Sequence, residues 1–314
     1  MTTARAHSNT RSTFEVGNFV MPTIVLHGPV LVGTDLTPGA EEAIRQGAQL
    51  ARDLDTPLIA CHILPEILRV GMLFPQWRGL SRELEQSMTG KARGAVTREL
   101  ESVLGGDASG VQIVLDSGTA HVGLLAQADA TGAGVIVTGF GQVAEQVARH
   151  ASVPVLVARG SPRGAVVGAT DFSDPSLPVL NAAASEAKRR QSSLHLIHAL
   201  DIGLYALGRA SGAAIRYLAD SSAIALEGLD ELRSAADVRL RDTLQQFAVE
   251  GQTSVISGHA VHAIVSYAES VGAELVVVGT HGRSAFARLT LGSTASGVID
   301  SSPCSVLVVR VAGK

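Results

Sequence analysis

The apolar residues of this chain gather in short unbroken runs, separated by helical stretches, and the whole succession occurs twice. In the first half the runs are Val30 to Gly33, Leu58 to Ile63, Val111 to Leu115, Gly134 to Gly139 and Val153 to Val157. In the second they are Val166 to Gly168, Leu194 to Ala199, Thr253 to Ser257, Glu274 to Gly279 and Cys304 to Val308. Each has strand length. Their Val, Ile and Leu are continuous rather than alternating, which predicts strands covered on both faces, the habit of a parallel sheet. Between them Ile44, Ala48 and Ala51, and Leu177, Leu180, Ala184 and Ala187, recur at helical spacing. Longer helices are predicted at about 81–104 and 230–250, and shorter ones at about 120–131 and 260–271. Strands alternating with helices predict right-handed crossovers in a doubly wound sheet.

The repeat holds in register. Asp35 and His62 are 27 positions apart, and so are Asp171 and His198. Both halves open alike, with Gly33-Thr34-Asp35-Leu36-Thr37-Pro38 and Ala169-Thr170-Asp171-Phe172-Ser173-Asp174-Pro175. Each reads as a strand, an Asp, and a helix start with a Thr or Ser cap and a Pro close behind. Lys188-Arg189-Arg190 suits the negative end of a helix dipole. The expected organisation is a flexible N-terminal tail over 1–27, one domain over 28–160 and a second over 161–314, with Gly160 to Gly164 as linker. Both are expected to be doubly wound, Rossmann-like domains with five-stranded parallel sheets. Ligands in such sheets lie at the carboxyl ends of the strands, where the first and fourth diverge. Asp171 and Gly279 therefore point at one crevice.

The halves part company after the fourth strand. Between Gly279 and Gly292 the second half carries Thr280-His281-Gly282-Arg283-Ser284-Ala285-Phe286-Ala287-Arg288-Leu289-Thr290-Leu291, where the first has only Phe140 between Gly139 and Gly141. Matching Gly141 with Gly292 keeps the downstream spacing equal, 14 positions to Val155 and to Val306. The longer segment has the parts of a phosphate site. Gly279 and Gly282 allow close backbone approach, Gly292-Ser293-Thr294 opens a helix whose free N–H groups attract anions, and Arg283 adds charge. No Lys follows the glycines, so this is not a Walker A loop. Gly139-Phe140-Gly141-Gln142-Val143-Ala144 fits a dinucleotide-type G-x-G-x-x-A, but follows the fourth strand instead of the first and lacks the acid that pattern needs.

Composition narrows the classes. With 314 residues, 46% hydrophobic and 17% charged, the chain suits globular domains, and its net charge of −4 argues against a nucleic-acid binder. Cys61 and Cys304 sit in apolar runs and read as buried thiols. No apolar run reaches membrane-spanning length, and none in the first twenty-odd residues has signal-peptide length, although a Ser-, Thr- and Arg-rich leader stays open there. The cytoplasm is the default setting. His121, His259 and His262 stand at helix starts, better read as helix-end residues than as metal ligands.

These motifs together resemble the universal stress protein family in its tandem two-domain form, over about residues 28–310. The second half fits the family's G-x2-G-x9-G-S/T signature as Gly279, Gly282, Gly292 and Ser293, beside Thr170 to Ser173, a strand-two Ile197-His198 ending, and Ser302 to Val308. The resemblance implies adenine-nucleotide-hydrolase-like domains and ATP in the second crevice, with or without Mg. Asp171 and the backbone after strand two at His198 and Ala199 would face adenine, with Thr170 and Val278 also among the binding residues. Gly279, His281, Gly282, Arg283, Gly292, Ser293 and Thr294 would hold ribose and phosphates. The first half, lacking the loop, is expected to be a degenerate partner. The family usually pairs through its last strands, which a tandem chain can satisfy internally as a pseudo-dimer, with a homodimer left open. Arg163 and Arg310, after those strands, read as solvated.

Three functions compete. The first is an ATP-binding stress-response regulator or sensor without catalytic residues. The second is a slow ATPase or self-phosphorylating enzyme using Ser284 or Ser293, with His281 as the one base near the loop. The third is a ligand-free protein-interaction scaffold, using the apolar segments Leu64 to Leu80 and Ile202 to Leu229 as partner surface, lid or core cover.

Overall fold

The computed structural model describes residues 26–65, 78–106, 108–173, 176–201, 222–247, 250–280 and 291–310. The first-half strands are β1 (Val30–Gly33), β2 (Leu58–Leu64), β3 (Gln112–Ser117), β4 (Val135–Gly139) and β5 (Val155–Ala158). The second-half strands are β6 (Val166–Ala169), β7 (Leu194–Leu200), β8 (Gly251–Ser257), β9 (Leu275–Gly279) and β10 (Ser305–Val309). Among the described residues the first-half helices are α1 (Pro38–Asp53), α2 (Arg78–Leu104), α3 (Ala120–Thr131) and α4 (Gln142–His150). Those of the second half are α5 (Leu177–Arg190), α6 (Ser222–Gln246), α7 (Ala260–Ser270) and α8 (Ser293–Ser301).

All ten strands form one sheet in the order β3-β2-β1-β4-β5-β10-β9-β6-β7-β8. Within each half the strands are parallel, as the unbroken apolar runs require. The halves meet antiparallel through their last strands, with Val157 opposite Val306, Leu156 opposite Leu307 and Val155 opposite Val308. The pairing expected from a tandem chain is therefore made inside it, as an intramolecular pseudo-dimer. Each face of the sheet carries one core that crosses this seam, so that Val137 and Val277 belong to one apolar cluster, and Ile136 and Val276 to the other.

A helix-on-sheet contact shows how the two copies solve one packing problem differently. A Cβ on Gly47 of α1 would lie 2.3 Å from Val32 of β1. At the matching places in the second half the sizes are exchanged: Gly168 lies on β6, where a Cβ would lie 2.8 Å from Ala183 of α5. The contact keeps one glycine in each half, so the helix lies close to the strand in both.

Several local expectations need correction. Thr37 stands at the N-cap of α1 but does not cap it; its hydroxyl bonds Asp35 Oδ1 at 2.6 Å. α5 begins at Leu177 after Ser176, so Ser173 is not its cap. α6 begins at Ser222, earlier than 230, because Ser222 to Leu229 is rich in helix-forming Ala, Leu and Glu. Arg310 is not merely solvated. It donates to the Arg149 carbonyl at the end of α4 at 3.2 Å, while Arg159, its counterpart after β5, donates to the Ile299 and Asp300 carbonyls of α8 at 2.8 and 3.2 Å. Each half thus supplies a cation to the negative helix end of the other. Ser296 Oγ of α8 completes the exchange by donating to Glu145 Oε1 of α4 at 2.8 Å, and that bond, followed by Arg149, holds the Glu145 carboxyl below its ordinary pKa.

Both thiols are buried and free, and burial, with Asp116 adding to it, pushes Cys61 up to about 12. Such a thiol is no nucleophile at neutral pH. No helix among the described residues is long and apolar enough to cross a membrane. The expected tail falls almost wholly outside the described residues, as does most of each apolar segment after strand two.

Candidate functional site

The sheet places the second-half residues before any side chain is considered. β6 and β9 are neighbours, pairing Gly168 with Val277, and the chain leaves both at the same end in opposite senses, to α5 and towards α8. This is the divergence at which open parallel sheets bind ligands.

At the tip of β6 the backbone is held in a tight knot. Thr170 Oγ1 accepts the Phe172 N–H at 2.9 Å and bonds Ser176 Oγ at 2.7 Å. Asp171 Oδ1 accepts the Ser173 N–H at 3.0 Å and its hydroxyl at 2.5 Å. Between them Phe172 is forced to φ +60°. A bulky residue in the left-handed region is uncommon, and such strain gathers where the fold over-determines a backbone for function. The backbone part of the knot recurs at Thr34 and Asp35, with Leu36 at φ +63°, but there the Thr34 hydroxyl donates to Glu99 Oε2 at 2.6 Å. In both halves a strand-two histidine fastens it: His198 Nδ1 lies 2.8 Å from the Thr170 carbonyl and His62 Nδ1 2.8 Å from that of Thr34.

The predicted residues thereby separate into roles. Thr170 is buried with its hydroxyl engaged inside the knot, and it shapes the loop that presents Asp171. β7 runs on through Leu200, so His198 and Ala199 are strand residues and not the residues after strand two. The His198 ring packs on Phe172 with centroids 4.4 Å apart. Val278 is buried in the sheet, paired with Val308. What it offers the crevice is position, since Gly279 follows it at the strand tip.

On the other side of the crevice, the Gly292 N–H bonds the Thr280 carbonyl at 2.8 Å, and Thr280 is tied to β10 through the Val309 carbonyl at 3.1 Å. Thr280 and Gly292, 12 positions apart in the chain, thus meet directly. A Cβ on Gly292 would stand 3.1 Å from that carbonyl, which explains a glycine here although its φ of −62° suits any residue. α8 starts at the next residue, and no side chain among the described residues caps it. Its opening N–H groups and the hydroxyls of Ser293 and Thr294 stand at the positive end of the helix, where anions bind. The structure therefore brings Asp171, Gly279, Gly292, Ser293 and Thr294 to one end of the sheet. His281, Gly282 and Arg283 lie outside the described residues.

Reading the sequence alone missed the strained Leu36 and Phe172, for which no residue pattern is a signal, and the Arg159–Arg310 exchange, which the equal spacing downstream of Gly141 and Gly292 does signal.

Comparison with known proteins agrees with this architecture. The sequence model described as the universal stress protein family matches the chain twice, over residues 27–159 and 163–310. A universal stress protein of Methanocaldococcus jannaschii is 30% identical over 145 residues, 46% of this chain and 81% of that protein. One of Bacillus subtilis is 31% identical over 149 residues, 45% of this chain and 95% of that protein. The crystal structure of a universal stress protein from Archaeoglobus fulgidus covers 92% of this chain and 98% of its own, with a TM-score of 0.58 at 17% identity, a likeness of fold.

Proposed function

Because the chain belongs to the universal stress protein family in its tandem two-domain form, we propose that it is an ATP-binding stress-response regulator, with the nucleotide held by the second domain and the first serving as its structural partner. The observation that carries this reading is the uncapped start of α8, set by the Gly292–Thr280 bond beside the knot that presents Asp171. A helix N-terminus draws phosphate, and the Asp171 carboxylate accepts from hydroxyl or amino groups of the rest of the ligand. Gly279, Gly282 and Gly292 let backbone approach the phosphates, and Arg283 and His281 add donors.

Among the described residues no group of three or more His, Cys, Asp and Glu could hold a metal ion, so magnesium would arrive on the nucleotide's own phosphates. The role is binding in place of turnover, the setting the cytoplasm, and the β5–β10 seam leaves the last-strand pairing satisfied within one chain.

The test is calorimetric titration of nucleotide-free protein with Mg-ATP, beside a Gly282→Ala, Gly292→Ala double variant. One site per chain, lost in the variant, is the expected result. No heat, with no ATP retained on direct ligand analysis, would sink the proposal. Steady multiple turnover of ATP would replace a sensor by an enzyme.

A further inference from the structure

The first half, which lost its loop, has not closed its crevice. A cavity of about 340 Å³ lies at the matching divergence, between the tip of β1 and the start of α4. That is the small end of the range for ligand pockets. Its walls are unlike those of a phosphate site. Among the described residues Asp35 is the one charged residue lining it, and no cation does. A polyphosphate here would face the Asp35 carboxylate with the N–H groups at the start of α4 to offset it, and with no lining cation among the described residues. Asp35 is instead held like Asp171, its Oδ1 accepting the Thr37 N–H at 3.0 Å and hydroxyl at 2.6 Å, and as an acceptor it suits ligand hydroxyl or amino groups.

Beside the polar Thr34, Thr37, Thr138 and Gln142, part of the lining is apolar. Ile63 and Leu124 line the crevice, as do Phe140, 50% exposed, and Val143, 38% exposed. Arg159 stacks 3.5 Å from the centre of the Phe140 ring and holds it in place. An exposed aromatic at the rim of a cavity is a surface for another ring.

One more group points to an occupant. Thr138, which lines the crevice at the end of β4, is 3% exposed, and its hydroxyl has no hydrogen-bond partner among the described residues. At the matching position the second half has Val278, of the same shape without the hydroxyl. A buried unpartnered hydroxyl is costly, and an isosteric apolar residue is evidently tolerated at this place in the fold. Rotation about its single heavy-atom side-chain torsion is the movement that would offer the hydroxyl to a ligand.

We propose that the first-half crevice is a second ligand site, taking an uncharged, ring-bearing molecule of nucleoside size that carries hydroxyl or amino donors and no phosphate. The chain then holds two non-equivalent sites, one for a charged nucleotide and one for a neutral molecule. The site rests on the cavity and its walls; only the choice of adenosine as probe rests on the reading of the second domain.

The full-length chain is titrated with adenosine and, separately, with Mg-ATP, as wild type and as Asp35→Asn, Thr138→Val and Gly292→Val. Adenosine binding is expected to survive Gly292→Val and to weaken at least tenfold in Asp35→Asn and Thr138→Val, while ATP binding shows the reverse pattern. Thr138→Val removes a buried orphan hydroxyl, so its loss of binding would not reflect unfolding. ATP binding without adenosine binding overturns the second site and leaves the ATP proposal standing. Adenosine without ATP does the opposite. Adenosine binding abolished by Gly292→Val, or indifferent to Asp35→Asn and Thr138→Val, also overturns the second site.

Discussion

The Thr138–Val278 pair lets the chain serve as its own control for the cost of one hydroxyl. Both residues stand one place before the glycine that ends the fourth strand of their half, and both are 3% exposed. Replacing Thr138 by Val keeps the volume and removes an oxygen with no partner among the described residues. A buried hydroxyl without a hydrogen bond costs about 1–3 kcal/mol in mutational series. Some of that is recovered by local adjustment, so a gain of about 1 kcal/mol is expected. The reciprocal Val278→Thr adds an oxygen among Val276, Val306 and Val308 of the same core and should lose about 1–3 kcal/mol. The assay is urea denaturation followed by circular dichroism in the absence of ligand. With a slope of about 3 kcal/mol per molar, the Thr138→Val midpoint should rise by about 0.3 M and the Val278→Thr midpoint should fall by at least as much, both at unchanged slope. A lowered midpoint for Thr138→Val would refute the reasoning, since it would mean that the hydroxyl is satisfied in the free protein. That result would also remove one support of the second ligand site.

Two further outcomes follow from the seam and the charged groups beside it. Arg159→Ala loses two bonds to the end of α8 and the cover of Phe140, and should cost about 2 kcal/mol in the same assay. Arg159→Lys should not restore it fully, because an ammonium placed at the two carbonyls cannot also lay a planar group on the Phe140 ring; full recovery would show that charge alone suffices. Burial pushes the Glu186 carboxyl up, but its bonds to Arg189 and its attraction to Arg189 and Arg190 outweigh burial and leave it below the ordinary carboxylate value. A depressed folded pKa gives stability that is complete above the unfolded value near 4.3 and is lost as pH falls through the folded one. Glu186→Gln should therefore be less stable than wild type at pH 7 and lose less between about pH 4 and pH 3, read from stability measured across that range. Parallel acid limbs would show that Glu186 does not contribute there.

The strands and most helices were legible in the sequence because burial on both faces writes itself as unbroken apolar runs, and helical packing as a three- and four-residue period. Val135 to Gly139 and Leu275 to Gly279 were visible for that reason, and so was the missing loop, through spacing alone. What was not legible depends on hydrogen bonds between residues distant in the chain. Nothing in Thr170-Asp171-Phe172-Ser173 says that the hydroxyls turn inward to hold a strained Phe172 in place of capping a helix. Arg310 looked solvated because its acceptor, the Arg149 carbonyl, lies 161 positions away on the other half. The crevice of the first half was hidden for a similar reason: a motif search sees an absent loop, whereas the cavity is made by the parts that remain.

Those remaining parts explain how one copy lost a loop without losing the fold. The residues flanking this segment, Gly139 and Gly141 in one half and Thr280 and Gly292 in the other, end or directly follow the fourth strand or directly precede the next helix, while the seam is made by β5, β10 and the helices α4 and α8. Because the deletion lies wholly before α4, every element after it keeps its counterpart, with Gly141 matching Gly292 and Arg159 matching Arg310. The antiparallel pairing of Val157 with Val306 and the reciprocal arginines thus survive in both halves. On the proposed reading, shortening the loop removes donors for phosphate, and it leaves the apolar seam untouched. A one-residue slip of β5 against β10 would turn its buried side chains to the other face. A tandem chain in this arrangement can change what one crevice binds while the other crevice keeps its frame, which is the condition for two copies of one domain to hold different ligands.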